Sequence, residues 1–326
     1  MKYRFLAILL CVAMTVCLTA CGGGDEKEEI STESAVAVSN NHLDVDSTVI
    51  AVGKTKVAYN EYKAYYYFMK NSYESVIGEG IWNYTKAIAG DKSLGQEAVE
   101  AVLRLIIQVK VINREAAAQK VELATDEKEE AAHNAKTLCD SLSEEVKTAN
   151  GLDVKTLTRM LEENKLTQKM YNIEIGKVNA NLTPEQIKVA KVQLIYLKAN
   201  DKNREQVKQK AEQLHQSLVS SATGFYAAAK QHTEADEIET MIGGSDSRTQ
   251  LKQAVIGLQE GQISPVVAEK DGYYLARCIQ ADSPELEQEY RNEVVQQKQI
   301  DAFQKVYKKW SQKYEVKVSK ALLVRE

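Results

Sequence analysis

Hydrophobic positions in the first half of the chain repeat with the period of a helix. After Ser93, apolar residues recur every three or four positions, which is the spacing of an amphipathic helix. They are Val99, Val102, Leu103, Ile106 and Val109. Ser93 and Gln96 have the spacing of a capping box. Two more helices are predicted, one from Thr125 or Asp126 to a stop at Gly151 and one from Asp153 to Ile175, so this region predicts a helical domain.

A short β-hairpin and an aromatic helix are predicted before this domain. Residues 49–52 favour a strand, Gly53 and Lys54 a turn, and the returning strand ends at Ala58. Asn60 is the predicted N-cap of the helix that follows. That helix carries several aromatic side chains on one side, among them Tyr62, Tyr65, Tyr66 and Phe68. Such a stripe is either a ligand-binding face or core packing, and core packing is the more common of the two.

The pattern changes after residue 182. Thr183, Pro184 and Gln186 predict a helix start with a capping box. The elements then follow in the order β-α-α-β-α-β-β. They are a strand at 191–199, helices at 203–220 and 224–232, a strand at 237–242, a helix at 248–256 and a hairpin at 263–279. A long helix from Ser283 through Trp310 and a strand within 314–323 close the chain.

Composition narrows the class of protein. The chain has 326 residues, 44% hydrophobic and 27% charged, with a net charge of −4. Because acidic and basic residues are interspersed, we expect no nucleic-acid partner. Only 3 prolines and 16 glycines occur, which disfavours turn-rich all-β folds, and the order of elements predicts an α+β fold.

The N-terminus predicts export and lipidation. Lys2 and Arg4 precede an apolar run that is too short to span a bilayer but suits a secretory signal. The run ends in Leu18-Thr19-Ala20-Cys21, followed by glycines, which resembles the lipobox of bacterial lipoproteins. We expect residues 1–20 to be a signal peptide, Cys21 to be lipidated, and residues 21–47 to be a flexible linker. The alternative is an ordinary secretory signal with an incidental Cys21.

Cysteines and histidines give no sign of redox or metal chemistry. Cys139 and Cys278 are the cysteines left after the signal and Cys21. They are either a disulfide or, more commonly for cysteines so far apart in sequence, buried small hydrophobic residues. There is no Cys-x-x-Cys, and the four histidines have no ligand spacing. They are His42, His133, His215 and His232. We therefore predict no metal and no cofactor.

Residues 188–281 resemble the parvulin type of peptidyl-prolyl cis-trans isomerase. Leu258-Gln-Glu-Gly261-Gln-Ile-Ser264, then Val266-Val267 and Gly272-Tyr273, resemble the family's closing motifs, and "ADEIETMIGG" resembles its middle strand. The flanking segments are similar to those of extracytoplasmic PrsA-type and SurA-type foldases. The resemblance implies a helical chaperone domain made of residues 48–184 and 283–326, with a parvulin-like antiparallel-sheet domain inserted at 185–282. It also implies pairing of "VIAVG" with "YEVKVSKALL", and packing of the 283–310 helix on the 99–113 helix.

The resemblance also identifies where the family keeps its site. The positions of its two core histidines are occupied here by Leu194 and Tyr274, and its Met and Phe slot residues by Ser247 and Leu251. No residue is therefore predicted to be catalytic with confidence. The predicted peptide-binding pocket consists of Tyr196, Ile242, Ser247, Leu251 and Tyr274. Since the imidazole pair is absent, we expect weak or no isomerase activity; the alternative is that other side chains suffice.

These features predict a folding factor anchored by lipid to the extracytoplasmic face of a bacterial cell membrane. Its expected partners are unfolded or partly folded secreted proteins, and a homodimer through the helix near Tyr65 is an open alternative. An active isomerase of the same architecture is the first alternative function. The second is a solute-binding lipoprotein, although no repeated β-α alternation supports it. Gly-x-Ser-x-Gly, Walker and Gly-x-Gly-x-x-Gly motifs are absent.

Overall fold

The computed structural model describes residues 43–44, 46–78, 81–82, 94–220 and 224–323. These residues form two compact units, one made of the described residues up to 178 and from 300 onwards, and the other made of those between 179 and 299. The predicted signal peptide, Cys21, most of the linker and the Ser93 cap lie outside the described residues. In chain order the elements are β1 (Thr48–Val52), β2 (Thr55–Ala58), α1 (Tyr59–Ile77), α2 (Leu94–Ala118), α3 (Thr125–Asp140), α4 (Glu144–Asn150), α5 (Val154–Ile175), α6 (Pro184–Ile187), β3 (Val189–Lys198), α7 (Arg204–Ser220), α8 (Phe225–His232), β4 (Glu239–Gly243), α9 (Thr249–Val255), β5 (Val267–Glu269), β6 (Gly272–Gln280), α10 (Pro284–Ser311), β7 (Val316–Val318) and α11 (Lys320–Leu323).

The first unit joins the two ends of the chain in one antiparallel sheet of order β2-β1-β7. Ile50 of β1 pairs with Val57 on one side and with Val318 on the other. These three side chains are almost completely buried. The predicted pairing of the N-terminal and C-terminal strands is confirmed. The last predicted strand is shorter than expected, because the chain turns into α11 directly after Ser319.

Two helix boundaries predicted from the sequence are wrong. Helix α1 begins at Tyr59 behind Ala58, so Asn60 is not its N-cap; the Asn60 amide instead donates to Thr156 Oγ1 at 3.3 Å. The helix predicted from residue 125 to Gly151 is broken after Asp140. Ser143 starts α4 there, since its side chain accepts a hydrogen bond from the Val146 amide.

The aromatic stripe of α1 belongs to the core of the first unit. Tyr62, Tyr65 and Phe68 are buried, and Tyr66 packs against the same core. Helix α10 contributes Phe303 to it, which meets Tyr171 of α5 edge-on with ring centroids 4.9 Å apart. Core packing, the more common meaning of such a stripe, is confirmed for these side chains. Packing of α10 against α2 stays a prediction.

A buried ionic cluster crosses the helices of this unit. The Lys110 ammonium lies 2.6 Å from Glu61 Oε1 and 2.5 Å from Glu163 Oε2, and Arg159 lies 2.9 Å from Glu61 Oε2. Lys110 and Glu61 are 2% and 1% exposed. Burial raises the pKa of the Glu163 carboxyl, while the nearby Lys110 opposes that rise. The cluster thus connects α1, α2 and α5, and its central pair, Lys110 and Glu61, is shielded from water.

The second unit contains an antiparallel sheet of order β4-β3-β6-β5. Its elements follow the predicted order β-α-α-β-α-β-β. One sheet face carries Val192, Leu194 and Ala276, and the other carries Ile195 and Leu275, packed with residues of α7 and α8. The first strand of the predicted hairpin is shorter than expected, since Ile263 forms only an isolated bridge to Arg277.

Three further observations bear on class and location. Cys139 and Cys278 are buried free thiols. Among the helices that the structure describes, none combines the length and the apolar character needed to cross a bilayer. Within the same described part of the chain, no group of His, Cys, Asp and Glu side chains could hold a metal ion.

Candidate functional site

The two family histidine positions lie on neighbouring strands and on the same face of the sheet. Strand β3 pairs with β6 so that Leu194 is opposite Ala276 and Tyr196 is opposite Tyr274. Leu194 and Tyr274 are therefore diagonal neighbours, two residues apart in register, rather than a directly opposed pair. Both are 3% exposed and belong to one apolar cluster. The sheet thus brings these two positions together without placing a polar side chain at 194.

Tyr274 has a polar partner that the sequence did not reveal. Its hydroxyl donates a hydrogen bond to Asp271 Oδ2 at 2.7 Å. Burial raises the pKa of the Tyr274 phenol well above its usual value, and the hydrogen bond to the Asp271 carboxylate raises it further. At neutral pH the phenol is therefore protonated, and its one proton is committed to Asp271.

Tyr196 lies over the Tyr274 ring. The two ring centroids are 4.7 Å apart with an interplanar angle of 17°. The Tyr196 hydroxyl donates to the Asp271 carbonyl oxygen at 3.1 Å, so one turn residue holds both tyrosines. Burial and the Asp271 carboxylate raise the pKa of Tyr196.

Arg248 completes this group, and sequence reasoning missed it. Its guanidinium lies 5.5 Å from the centroid of the Tyr274 ring. Asp246 binds the same guanidinium through two contacts, at 2.9 Å to Nε and 2.6 Å to Nη2. The hydrogen bond to Asp246 raises the pKa of Arg248, which stays charged. The spacing of Asp246 and Arg248 was visible in the sequence, but nothing in it showed that the loop after β4 reaches Tyr274.

The predicted pocket residues divide into a buried and an accessible group. Ile242 and Leu251 are completely buried in the same cluster as Tyr274. Ser247 is exposed and Tyr196 is half-buried. The apolar members therefore pack on one another beneath the surface, and Tyr196 and Ser247 are the accessible positions. A role for these residues in binding peptide stays a prediction.

The arrangement offers hydrogen bonding and a fixed cation rather than covalent chemistry. A phenol, a guanidinium and two carboxylates meet beside a sheet whose face is otherwise apolar. Rotation about a prolyl amide needs no nucleophile, but it needs groups that favour the twisted amide over the planar one. Here Asp271 and Asp246 already bind the Tyr274 hydroxyl and the Arg248 guanidinium.

Comparison with known proteins identifies the class of this domain. Residues 187–280 match the family described as "Rotamase: PPIC-type PPIASE domain", so this part of the chain is a PpiC-type domain. No curated protein matches the chain.

Solved structures similar to this chain include foldases, chaperones and an isomerase domain. A peptidylprolyl isomerase PrsA from Bacillus anthracis is 18% identical, with a TM-score of 0.39, over 65% of this chain and 94% of that one. A structure of SurA-like chaperones from Campylobacter jejuni is 10% identical, with a TM-score of 0.32, over 83% and 98%. A PpiC-type isomerase domain is 22% identical, with a TM-score of 0.28, over 30% and 94%. At this level of similarity, the assignment of residues 187–280 rests on the family match.

Proposed function

We propose that this chain is a membrane-anchored extracytoplasmic folding factor that binds unfolded secreted polypeptides and has weak or absent prolyl isomerase activity. The PpiC-type domain at residues 187–280 supports a role in protein folding. Anchoring through a lipid on Cys21 belongs to the proposal and is supported by the Leu18-Thr19-Ala20-Cys21 motif. Substitution Cys21→Ala would then move the protein from the membrane fraction to the soluble extracytoplasmic fraction.

The observation that carries the activity part of the proposal is the state of the two histidine positions. Leu194 is apolar and buried, and the Tyr274 hydroxyl donates its hydrogen bond to Asp271. The amide rotation has a barrier of about 18–20 kcal/mol, and each 1.4 kcal/mol changes the rate about tenfold. The chain lacks both imidazole groups that the family positions at these sites, and losing the two interactions they make with the twisted amide removes much of the rate acceleration.

Client binding is supported by accessible apolar surface on the first unit. Val76 and Ile77 are adjacent at the end of α1 and are 81% and 62% exposed. Neighbouring exposed apolar side chains favour weak binding of hydrophobic segments. Tyr65, near which a homodimer interface was an open alternative, is 3% exposed, so binding or dimerisation at α1 would use other side chains.

The experiment for this function is suppression of aggregation. Residues 22–326 are mixed with a chemically unfolded client that aggregates on dilution, and light scattering is followed. We expect scattering to fall as the protein approaches stoichiometric amounts, and the Val76→Ser, Ile77→Ser double variant to be weaker. No effect of the wild type at stoichiometric excess would contradict the proposal.

One observation favours the alternative, an active isomerase. The charged Arg248 beside Tyr274 is a fixed cation with more N–H donors than Asp246 uses. If the domain is an active isomerase, Arg248→Met would lower the isomerase rate severalfold, whereas under the main proposal the wild-type rate is already close to that of the free peptide. The solute-binding alternative has less support, since both described sheets are antiparallel rather than parallel and doubly wound.

A further inference from the structure

Tyr196 stands between the buried Tyr274 ring and the surface. Tyr274 is 3% exposed, whereas Tyr196 is half-buried and packs against the same apolar cluster. The rings lie nearly parallel at 4.7 Å. The face of the residue that replaces the family's second histidine is therefore covered by a side chain of this chain.

The Tyr196 ring lies close to the backbone of Gly272 at the start of strand β6. A Cβ atom on Gly272 would lie 2.9 Å from Cε2 of Tyr196 and 2.2 Å from the carbonyl oxygen of Leu197. Real Cβ contacts are not this short, so a side chain at position 272 would displace the Leu197 carbonyl group and the Tyr196 ring. The Asp271 carbonyl oxygen binds the outer end of the same ring through the Tyr196 hydroxyl. Tyr196 is thus held along its ring and at its tip.

A prolyl ring would need the surface that Tyr196 covers. By resemblance, the slot is formed around Leu251 and the two histidine positions, and Leu251 and Ile242 have no exposed surface. Shape complementarity to a ring requires an open apolar depression. Here the Tyr196 ring lies on the face of Tyr274, the residue at the second of those positions.

We propose that Tyr196 is a specificity-determining residue whose ring closes the slot and excludes a prolyl side chain from it. The inference rests on the proposed function, because it gives a physical reason why a chain with a PpiC-type domain has weak or absent isomerase activity. It goes beyond the loss of the histidines. Restoring them through Leu194→His and Tyr274→His leaves the Tyr196 ring and its bond to Asp271 in place.

The test measures binding of a proline peptide instead of turnover. Residues 22–326, labelled with nitrogen-15, are titrated with the end-blocked tetrapeptide Ala-Ala-Pro-Phe, and the amide signals near Leu194, Leu251 and Tyr274 are followed. We expect the wild type to show no saturable change up to the highest peptide concentration used. Tyr196→Leu should bind with a Kd at least about tenfold below that concentration, since burial of one apolar side chain supplies a change of this size. Equal binding by both proteins would overturn the inference.

Control variants distinguish the effect of removing the Tyr196 ring from a general disturbance of the fold. Tyr196→Phe keeps the ring and loses only the hydroxyl, so it should still exclude the peptide. Tyr226→Leu removes another exposed tyrosine of the same unit, 43% exposed, and should also leave exclusion intact. If Tyr196→Leu does not fold, Tyr196→Met takes its place; a folded variant of either kind that fails to bind the peptide rejects the inference.

The outcomes distinguish this inference from the proposed function. If the wild type suppresses client aggregation but removing the Tyr196 ring opens no site, the function stands and the inference fails. If the wild type does not suppress aggregation but Tyr196→Leu gains peptide binding, the inference stands and the function fails.

Discussion

Removing Lys110 should destabilise the helical unit more than removing any surface lysine. Lys110 is 2% exposed and lies within 2.6 Å of Glu61, which is 1% exposed, and within 2.5 Å of Glu163, which is 19% exposed. Substitution Lys110→Met leaves two carboxylates in the interior with Arg159 as the remaining cation, at 2.9 Å from Glu61. Breaking a buried ion pair in this way costs about 3–5 kcal/mol. For a domain of about 150–250 residues this corresponds to a fall in melting temperature of roughly 6–20 °C.

Tryptophan fluorescence reports on the unfolding of the first unit alone. The chain has 2 tryptophans, Trp82 and Trp310, and both belong to the first unit. Thermal unfolding followed at tryptophan wavelengths therefore reports this unit and not the PpiC-type domain. The matched control is Lys136→Met, whose ion pair with Asp140 is 67% and 59% exposed, so that water screens it and its loss should leave the melting temperature almost unchanged.

The pH dependence of the stability lost in Lys110→Met gives a second test of this prediction. The pKa of Glu163 is raised by burial, so the folded state takes up a proton more readily than the unfolded chain. The contribution of this group is therefore present at low pH and is lost as pH rises through its folded pKa. The deficit of Lys110→Met should shrink as pH falls from 7.5 towards 4.5. Equal melting temperatures for Lys110→Met and Lys136→Met at neutral pH would refute the reasoning.

Two further predictions concern the PpiC-type domain and the thiols. Tyr274, followed by NMR with carbon-13 labelled tyrosine, should titrate above the usual tyrosine pKa of about 10, and Asp271→Asn should lower the pKa of Tyr274. The stability that this phenol contributes to the folded state is lost as pH rises above about 10. Titration of wild-type Tyr274 at or below that value would contradict the description of the site. Cys139 and Cys278 are buried and free, and burial raises the pKa of the Cys278 thiol. A thiol reagent should therefore label residues 22–326 only after unfolding, and prompt labelling of the native protein would show that these side chains are accessible.

Local signals in the sequence predicted much of the fold. The Thr183 and Gln186 capping box is present in the structure, because such a cap satisfies backbone groups of its own turn. The break at Ser141 to Ser143 was missed, since Ser143 can cap a helix as readily as it can sit inside one. The Asn60 cap was wrong because its side chain is used in a contact with Thr156 of α5, far away in sequence.

The site was only partly predictable, because several of its contacts join residues that are far apart in the sequence. The resemblance marked Leu194 and Tyr274 as the two histidine positions, and the register of β3 against β6 sets them on one face of the sheet. The register that sets Tyr196 against Tyr274 depends on the turn at Asp271 and on the space left by Gly272. The approach of Arg248 depends on the path of a loop. A carboxylate three residues before Tyr274 was the one signal that could have revealed its partner.

The measurement that tests the central claim most directly is the rate of prolyl isomerisation in a proline-containing peptide with residues 22–326. The account predicts a rate close to that of the peptide alone. It also predicts that Leu194→His with Tyr274→His leaves the rate low until Tyr196→Leu is added. A wild-type rate comparable to that of an active parvulin would contradict the account, because it would show that Tyr274, Asp271 and Arg248 suffice without the imidazole pair.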